Sequence, residues 1–160
     1  VKRFAAQGLT LIELLVWVVI VGILATWTGL AAIEGIRRGE LRQAAQQVAA
    51  DLQQLRGKAQ RYNRIATFAI GSKDQKPQTQ GQAYRFGLAG EEATERRLPA
   101  GIRLEASQPL EIEYTPPFGE LSGVQAHRLV LRHPGAPHLL GSVRVTGVTG
   151  KVMVDKVIAK

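Results

Sequence analysis

The sequence predicts an α+β fold in which one long N-terminal helix packs on an antiparallel β-sheet or sandwich. Three observations predict it. Twenty residues without a charge, Leu14 to Ile33, lead directly into a stretch whose apolar residues recur at helical steps as far as Tyr62. From Ile65 onward the chain breaks into short runs that alternate apolar and polar residues between Gly- and Pro-rich turns. Finally, 160 residues leave room for one globular domain of ordinary size. The segments that follow are 1–8, short and basic; 9–33, the apolar half of the helix; 34–64, its amphipathic half; and 65–160, a β-rich globular domain.

The uncharged run would make about 30 Å of helix, one hydrocarbon thickness. Lys2 and Arg3 precede it and the next positive charge is Arg37, so the basic flank is expected to stay cytoplasmic and the bulk of the chain to be exported. Glu13 stands at its start. A lone acid costs at least ~2.5 kcal/mol near a bilayer centre and less near the edge, so such residues are usually paired. Its own helix offers no nearby cation. A cut between Gly8 and Leu9 would place a new α-amino group four residues from Glu13, about one turn away. The competing readings are a secretory signal peptide, opposed by the length of the run and the acid near its start, and a plain anchor in which Glu13 snorkels to the interface. Gly22, Thr26 and Gly29 fall on one small face where helices can approach closely, although such residues are common in membrane helices anyway. Trp17 and Trp27 read as interfacial anchors.

In the second half of the helix Leu41, Ala45, Val48, Leu52, Leu55, Ala59 and Tyr62 form the apolar stripe, and seven basic residues from Arg37 to Arg64 supply charge. A two-stranded coiled coil would offer only about three heptads with two alanines at the seam, so packing against a sheet is expected. Seven strands follow: 65–70, 82–88, 102–106, 110–114, 127–132, 142–147 and 151–158. The segment 71–82 is expected as a mobile loop, and TPPFGELSG and HPGAPH as tight turns.

The N-terminal residues resemble a known family. KRFAAQG followed by LTLIELLVWVVIVGILA is similar to the class III leader and first helix of type IV pilins and type II secretion pseudopilins. The resemblance implies that 1–8 is a leader peptide removed by a prepilin peptidase after Gly8. It implies that Leu9 is the methylated N-terminus, and that Glu13 neutralises a neighbouring subunit's amine during assembly. Leu9 stands where the family more often has Phe, and the helix has no proline. Further along, RRGELRQAAQQVAADLQQLRGKAQRYNRIATFAIG, RRLPAGIRLE, IEYTPPFGEL and SVRVTGVTGKVMV resemble the H-type pseudopilin and FimT-like minor pilins. The family implies a two-sheet β domain on the C-terminal half of the helix. It also implies a single-pass protein of the bacterial inner membrane, with its β domain periplasmic or extracellular, incorporated with other subunits into a pilus or pseudopilus.

Catalytic chemistry finds no constellation. No Gly-rich phosphate loop follows a strand, there is no His-Glu-x-x-His, and no Ser, His and Asp occur in a recognisable context. No enzyme activity and no cofactor are expected. His127, His133 and His138 stand near a Pro/Gly turn and read as inert rather than as a metal site. Glu111 and Glu113 read as a solvated strand face. With no cysteine, neither a disulfide nor a thiolate metal site is available. The net charge of +8 favours polyanions or an anionic membrane surface, against the simpler reading of charge-mediated solubility. Arg128, Arg132, Arg144, Lys151, Lys156 and Lys160 form the candidate DNA-contacting set. Some FimT-like minor pilins bind DNA, which makes DNA uptake the alternative function. No aromatics interleave these cations, so base stacking is not indicated.

Overall fold

The computed structural model describes residues 10–72, 76–123 and 126–159, except for the side chains of residues 27–31. Helix α1 covers Leu11–Tyr62. The chain divides into two compact units, one to Ile36 and one from Arg37.

The unit from Arg37 carries the β domain. Its strands are β1 (Ala66–Ile70), β2 (Gln80–Gly81), β3 (Ala83–Leu88), β4 (Thr94–Arg97), β5 (Arg103–Glu105), β6 (Glu111–Thr115), β7 (Glu120–Leu121), β8 (His127–His133), β9 (Ala136–Thr146) and β10 (Lys151–Ala159). They form two sheets, ordered β4-β3-β1-β6-β7 and β10-β9-β8-β5-β2, with every pairing antiparallel.

Alternation along the strands decides what faces inward. In β3 the buried residues are Tyr84, Phe86 and Leu88, and in β8 Leu129, Leu131 and His133, each separated by a more exposed neighbour. Against these the helix sets Leu41, Ala44, Ala45, Val48, Ala49, Leu52, Leu55 and Ala59, all buried in the same core. Among the described residues, every buried hydrophobic one lies between Leu41 and Val152. Tyr62 corrects the expected stripe: it is 55% exposed. It is the helix's last residue. Asn63 follows with φ +49, and the Arg64 amide reaches back to the Ala59 carbonyl, a Schellman-type stop that turns the chain away.

Polar links, too, fasten the helix to the β domain. The Tyr84 hydroxyl donates to Asp51 Oδ2 at 2.5 Å, and Arg96 Nη1 donates to Asp51 Oδ1 at 2.6 Å. Gln47 Nε2 donates to the Tyr84 hydroxyl. Burial, with the Asp51 hydrogen bond second, pushes the Tyr84 phenol far up, so it stays a donor. At the other sheet His133 Nε2 meets Glu40 at 2.9 Å, while its Nδ1 accepts from the Gly135 amide.

Of the expected mobile loop 71–82, residues 73–75 lie outside the described residues, and the described remainder departs from that expectation. Gln78 donates to the Ile70 carbonyl and accepts from the Leu110 amide, and Gln80 and Gly81 form β2 beside β5. Backbone pairing holds this stretch where its polar side chains gave no sign of a strand. The HPGAPH turn is shorter than expected: β9 already begins at Ala136, and Pro137 falls where the β8–β9 register shifts, so its missing N–H interrupts no ladder bond. Gly150, with φ +59, ends the β9–β10 turn where a Cβ would stand 2.7 Å from the Tyr114 ring.

Candidate assembly helix and basic faces

The first helical turn is capped locally. Thr10 Oγ1 accepts from the Glu13 amide at 3.4 Å, and the Thr10 carbonyl accepts from Leu14. Thr10 is therefore the N-cap and Glu13 the third helical residue, the spacing of a capping box. The signal was present in the sequence as Thr-x-x-Glu, and reading Glu13 only as a buried charge overlooked it. The Glu13 side chain is exposed, and among the described residues no cation pairs with it. Gly8 and Leu9, the expected cleavage and methylation positions, lie outside the described residues.

Around this acid the helix is apolar on every side. Leu11, Ile12, Leu14, Leu15, Val16, Trp17, Val18, Val19, Ile20, Val21, Ile23 and Leu24 are all exposed. Described side chains of this run end at Thr26, short of the ~20 residues that a crossing takes, and among the described residues no helix is long and apolar enough to cross a membrane. On the expected small face, a Cβ at Gly22 would meet nothing within 4 Å, and the Thr26 hydroxyl donates to the Gly22 carbonyl at 2.9 Å. That hydroxyl is thus satisfied within its own helix. Gly29 is helical, in the stretch whose side chains lie outside the description.

The candidate DNA-contacting residues are not brought to one place. Arg128 and Arg144 face each other across β8 and β9, and Arg132 sits opposite Arg103. Acids on the same face answer them. Arg132 Nε pairs with Glu105 at 2.6 Å, and Arg144 Nη2 pairs with Asp155 at 3.2 Å. Ser142 Oγ donates to Asp155 at 2.8 Å, and Arg128 reaches Ser142 Oγ at 3.5 Å. The Ser142 hydrogen bond, then Arg144, holds the Asp155 carboxyl below the usual range despite some opposing desolvation.

Lys151, opposite Thr146, itself two positions along from Arg144, stays on this face, whereas Lys156 leaves it. Lys151 lines a cleft with Gln53, Arg56 and Gln60. Lys156 lines a different groove of about 500 Å³ with Arg38 and Arg42, two cations that the candidate set omitted. They stand more than a hundred positions earlier in the chain, so only tertiary structure unites them with Lys156. Lys160 lies outside the described residues.

Among the described residues no three His, Cys, Asp or Glu side chains gather where they could hold a metal. His127 and His133 share the inner side of β8 but stand six residues apart, about 20 Å along a strand, with Leu129 and Leu131 between them. Burial pushes the His127 imidazole down. Glu111 and Glu113 lie on the less buried side of β6.

No family model matches this chain, and no curated protein matches it in sequence. Solved structures do match in fold. The type IV minor pilin FimU of Pseudomonas aeruginosa superposes with a TM-score of 0.59 at 16% identity, covering 74% of this chain and 90% of that one. The minor pseudopilin EpsH of the Vibrio cholerae Type 2 Secretion System gives 0.54 at 16% identity, covering 73% and 97%. The expected helix-on-sheets pilin fold is thus the fold found.

Proposed function

We propose that this chain, having the fold of minor pilins and minor pseudopilins, is a non-catalytic minor subunit that assembles through its N-terminal helix into a type IV pilus or type II secretion pseudopilus. The observation that carries this reading is a helical run, Leu11–Thr26, that is apolar on every side and whose one acid, Glu13, has no cation among the described residues. A helix of that kind buries its side chains in lipid before assembly and against neighbouring helices afterwards. On this reading the prepilin peptidase cuts after Gly8, Leu9 becomes the methylated N-terminus, and its amine meets Glu13 of a neighbouring copy. The inner membrane holds the subunit by residues 9–33 until then.

The test separates Glu13's charge from its place in the cap. Glu13→Gln keeps a side chain that can serve a capping box but removes the charge. Both Glu13→Gln and Glu13→Ala should insert in the membrane normally and fail to enter filaments. Incorporation of Glu13→Gln at the wild-type level would show that no amine depends on that charge. Intact mass of the native protein should correspond to a chain beginning at methylated Leu9.

DNA uptake remains the alternative role and is less well supported. Its candidate cations fall at separate places, and Arg132 and Arg144 are already paired with acids.

A further inference from the structure

A sheet must end somewhere, and the edges of this one are unequal. The two sheets end in β4, β7, β2 and β10. The first three are strands of four, two and two residues, too short to template another chain, whereas β10 runs for nine. Its bulge lies between Asp155 and Ile158, so Lys151–Asp155 remains in regular register with β9 and keeps a straight outer edge. Along it Met153 and Val154 are 44% and 41% exposed, where inner strands bury such residues.

Beside that edge lies the groove of Arg38, Gly39, Arg42 and Gln46 from the helix and Val154–Val157 from β10. Arg38, Arg42 and Lys156 line it and are exposed. The one acid in its wall is Asp155, and that carboxylate is already held by Ser142 and Arg144.

We propose that the β10 edge is a docking site for an extended, acidic segment of a partner protein, which adds a strand along Lys151–Asp155 and drops alternate carboxylates into the groove beside Arg42 and Lys156. Main-chain bonds to the open edge would give the affinity, and the cations would select the sequence. A second copy of β10 is the wrong occupant, because it would bring Lys151 and Lys156 against cations of the same sign. Lysines on the edge also work as natural proteins use them, repelling self-pairing while leaving an acidic partner welcome. The inference stands on the β domain and does not rest on the filament reading.

The experiment uses the full chain in nonionic detergent and a fluorescent octapeptide alternating glutamate with valine. A control peptide carries proline in place of every valine, which leaves the charge and prevents strand addition. Expected are binding of the first peptide only, slowed hydrogen exchange confined to the β10 amides of residues 151–155, and at least about tenfold weaker binding by the Arg42→Glu/Lys156→Glu variant. Both substituted residues are exposed, and an unchanged melting transition confirms that the variant is folded. Equal binding of the proline control, unaltered binding by the double variant, or protection elsewhere would overturn the proposal. So would silence towards the peptide in a protein that binds duplex DNA or anionic vesicles through the same two cations.

Discussion

One helix carries two opposite relations between sequence and burial. In the unit that ends at Ile36, Leu11 is 84% exposed, Ile12 72% and Leu14 58%; in the unit that begins at Arg37, Leu41, Val48 and Leu52 are at 0%. Both halves are rich in aliphatic residues. Only the second separates them onto one stripe, and that separation lets a sheet cover them. An unsegregated apolar surface of this extent has no cover within the described chain and calls for one from outside. The core of the β domain is therefore written in the second half of the element, and changes in the first half should leave the domain's stability untouched.

The sharpest break in that contrast uses one residue type at two places. Leu52→Ala should cost the β domain about 2–5 kcal/mol, because a fully buried side chain leaves a cavity among both sheets. Leu15→Ala should leave the domain's denaturation midpoint unchanged, since Leu15 is 56% exposed and outside the core. Equal losses would mean that the first unit contributes to the domain after all. Denaturant unfolding of the full chain in detergent reads both.

The same contrast limits what the sequence could disclose. Burial writes its period into a strand, so β1, β3, β6 and β8 were legible from alternation. β2, β4 and β7 were not, because edge strands such as Thr94–Arg97 and Gln80–Gly81 are held by backbone bonds to one neighbour and show the core little. The stripe from Leu41 to Ala59 was legible for the same reason, and Tyr62 misled because a period does not announce where its helix stops. At the site, the oddity of Glu13 needed only hydropathy. The splitting of the basic residues needed register: Lys156 lines the groove with Arg38 and Arg42, while Arg144 faces Asp155 on the outer side.

A smaller effect is expected where the helix meets β3 and β4 through polar atoms. Asp51 is 3% exposed and accepts from both Tyr84 and Arg96. Asp51→Ala should cost about 1–3 kcal/mol, mostly by leaving the Tyr84 hydroxyl short of an acceptor, because Arg96 is half-exposed and can turn to water. Gln47 still reaches that hydroxyl, but as a donor, and so does not replace the carboxylate. Loss of the domain fold altogether would place this network above the apolar stripe in importance and reverse the ranking argued here. The tyrosine titration provides a second check, since removing Asp51 should bring the Tyr84 phenol partway down towards its ordinary value.

The smallest effect belongs to the outer face of the β8–β9–β10 sheet, where the Arg144–Asp155 pair sits at the surface. Asp155 has a folded pKa held below its unfolded value, chiefly by Ser142 and then by Arg144. A group depressed in this way stabilises the fold above its unfolded pKa, near 3.8, and loses that contribution as pH falls through the lower, folded value. Solvent screening keeps it below about 1 kcal/mol. Asp155→Asn should therefore melt slightly below wild type near neutral pH, with the gap closing as pH falls below about 4. A gap that stays constant with pH would assign the loss to packing around the buried Ser142 and not to charge, and would mean that the outer arginines are less neutralised than the geometry implies. That outcome would restore part of the free positive face on which the DNA alternative depends.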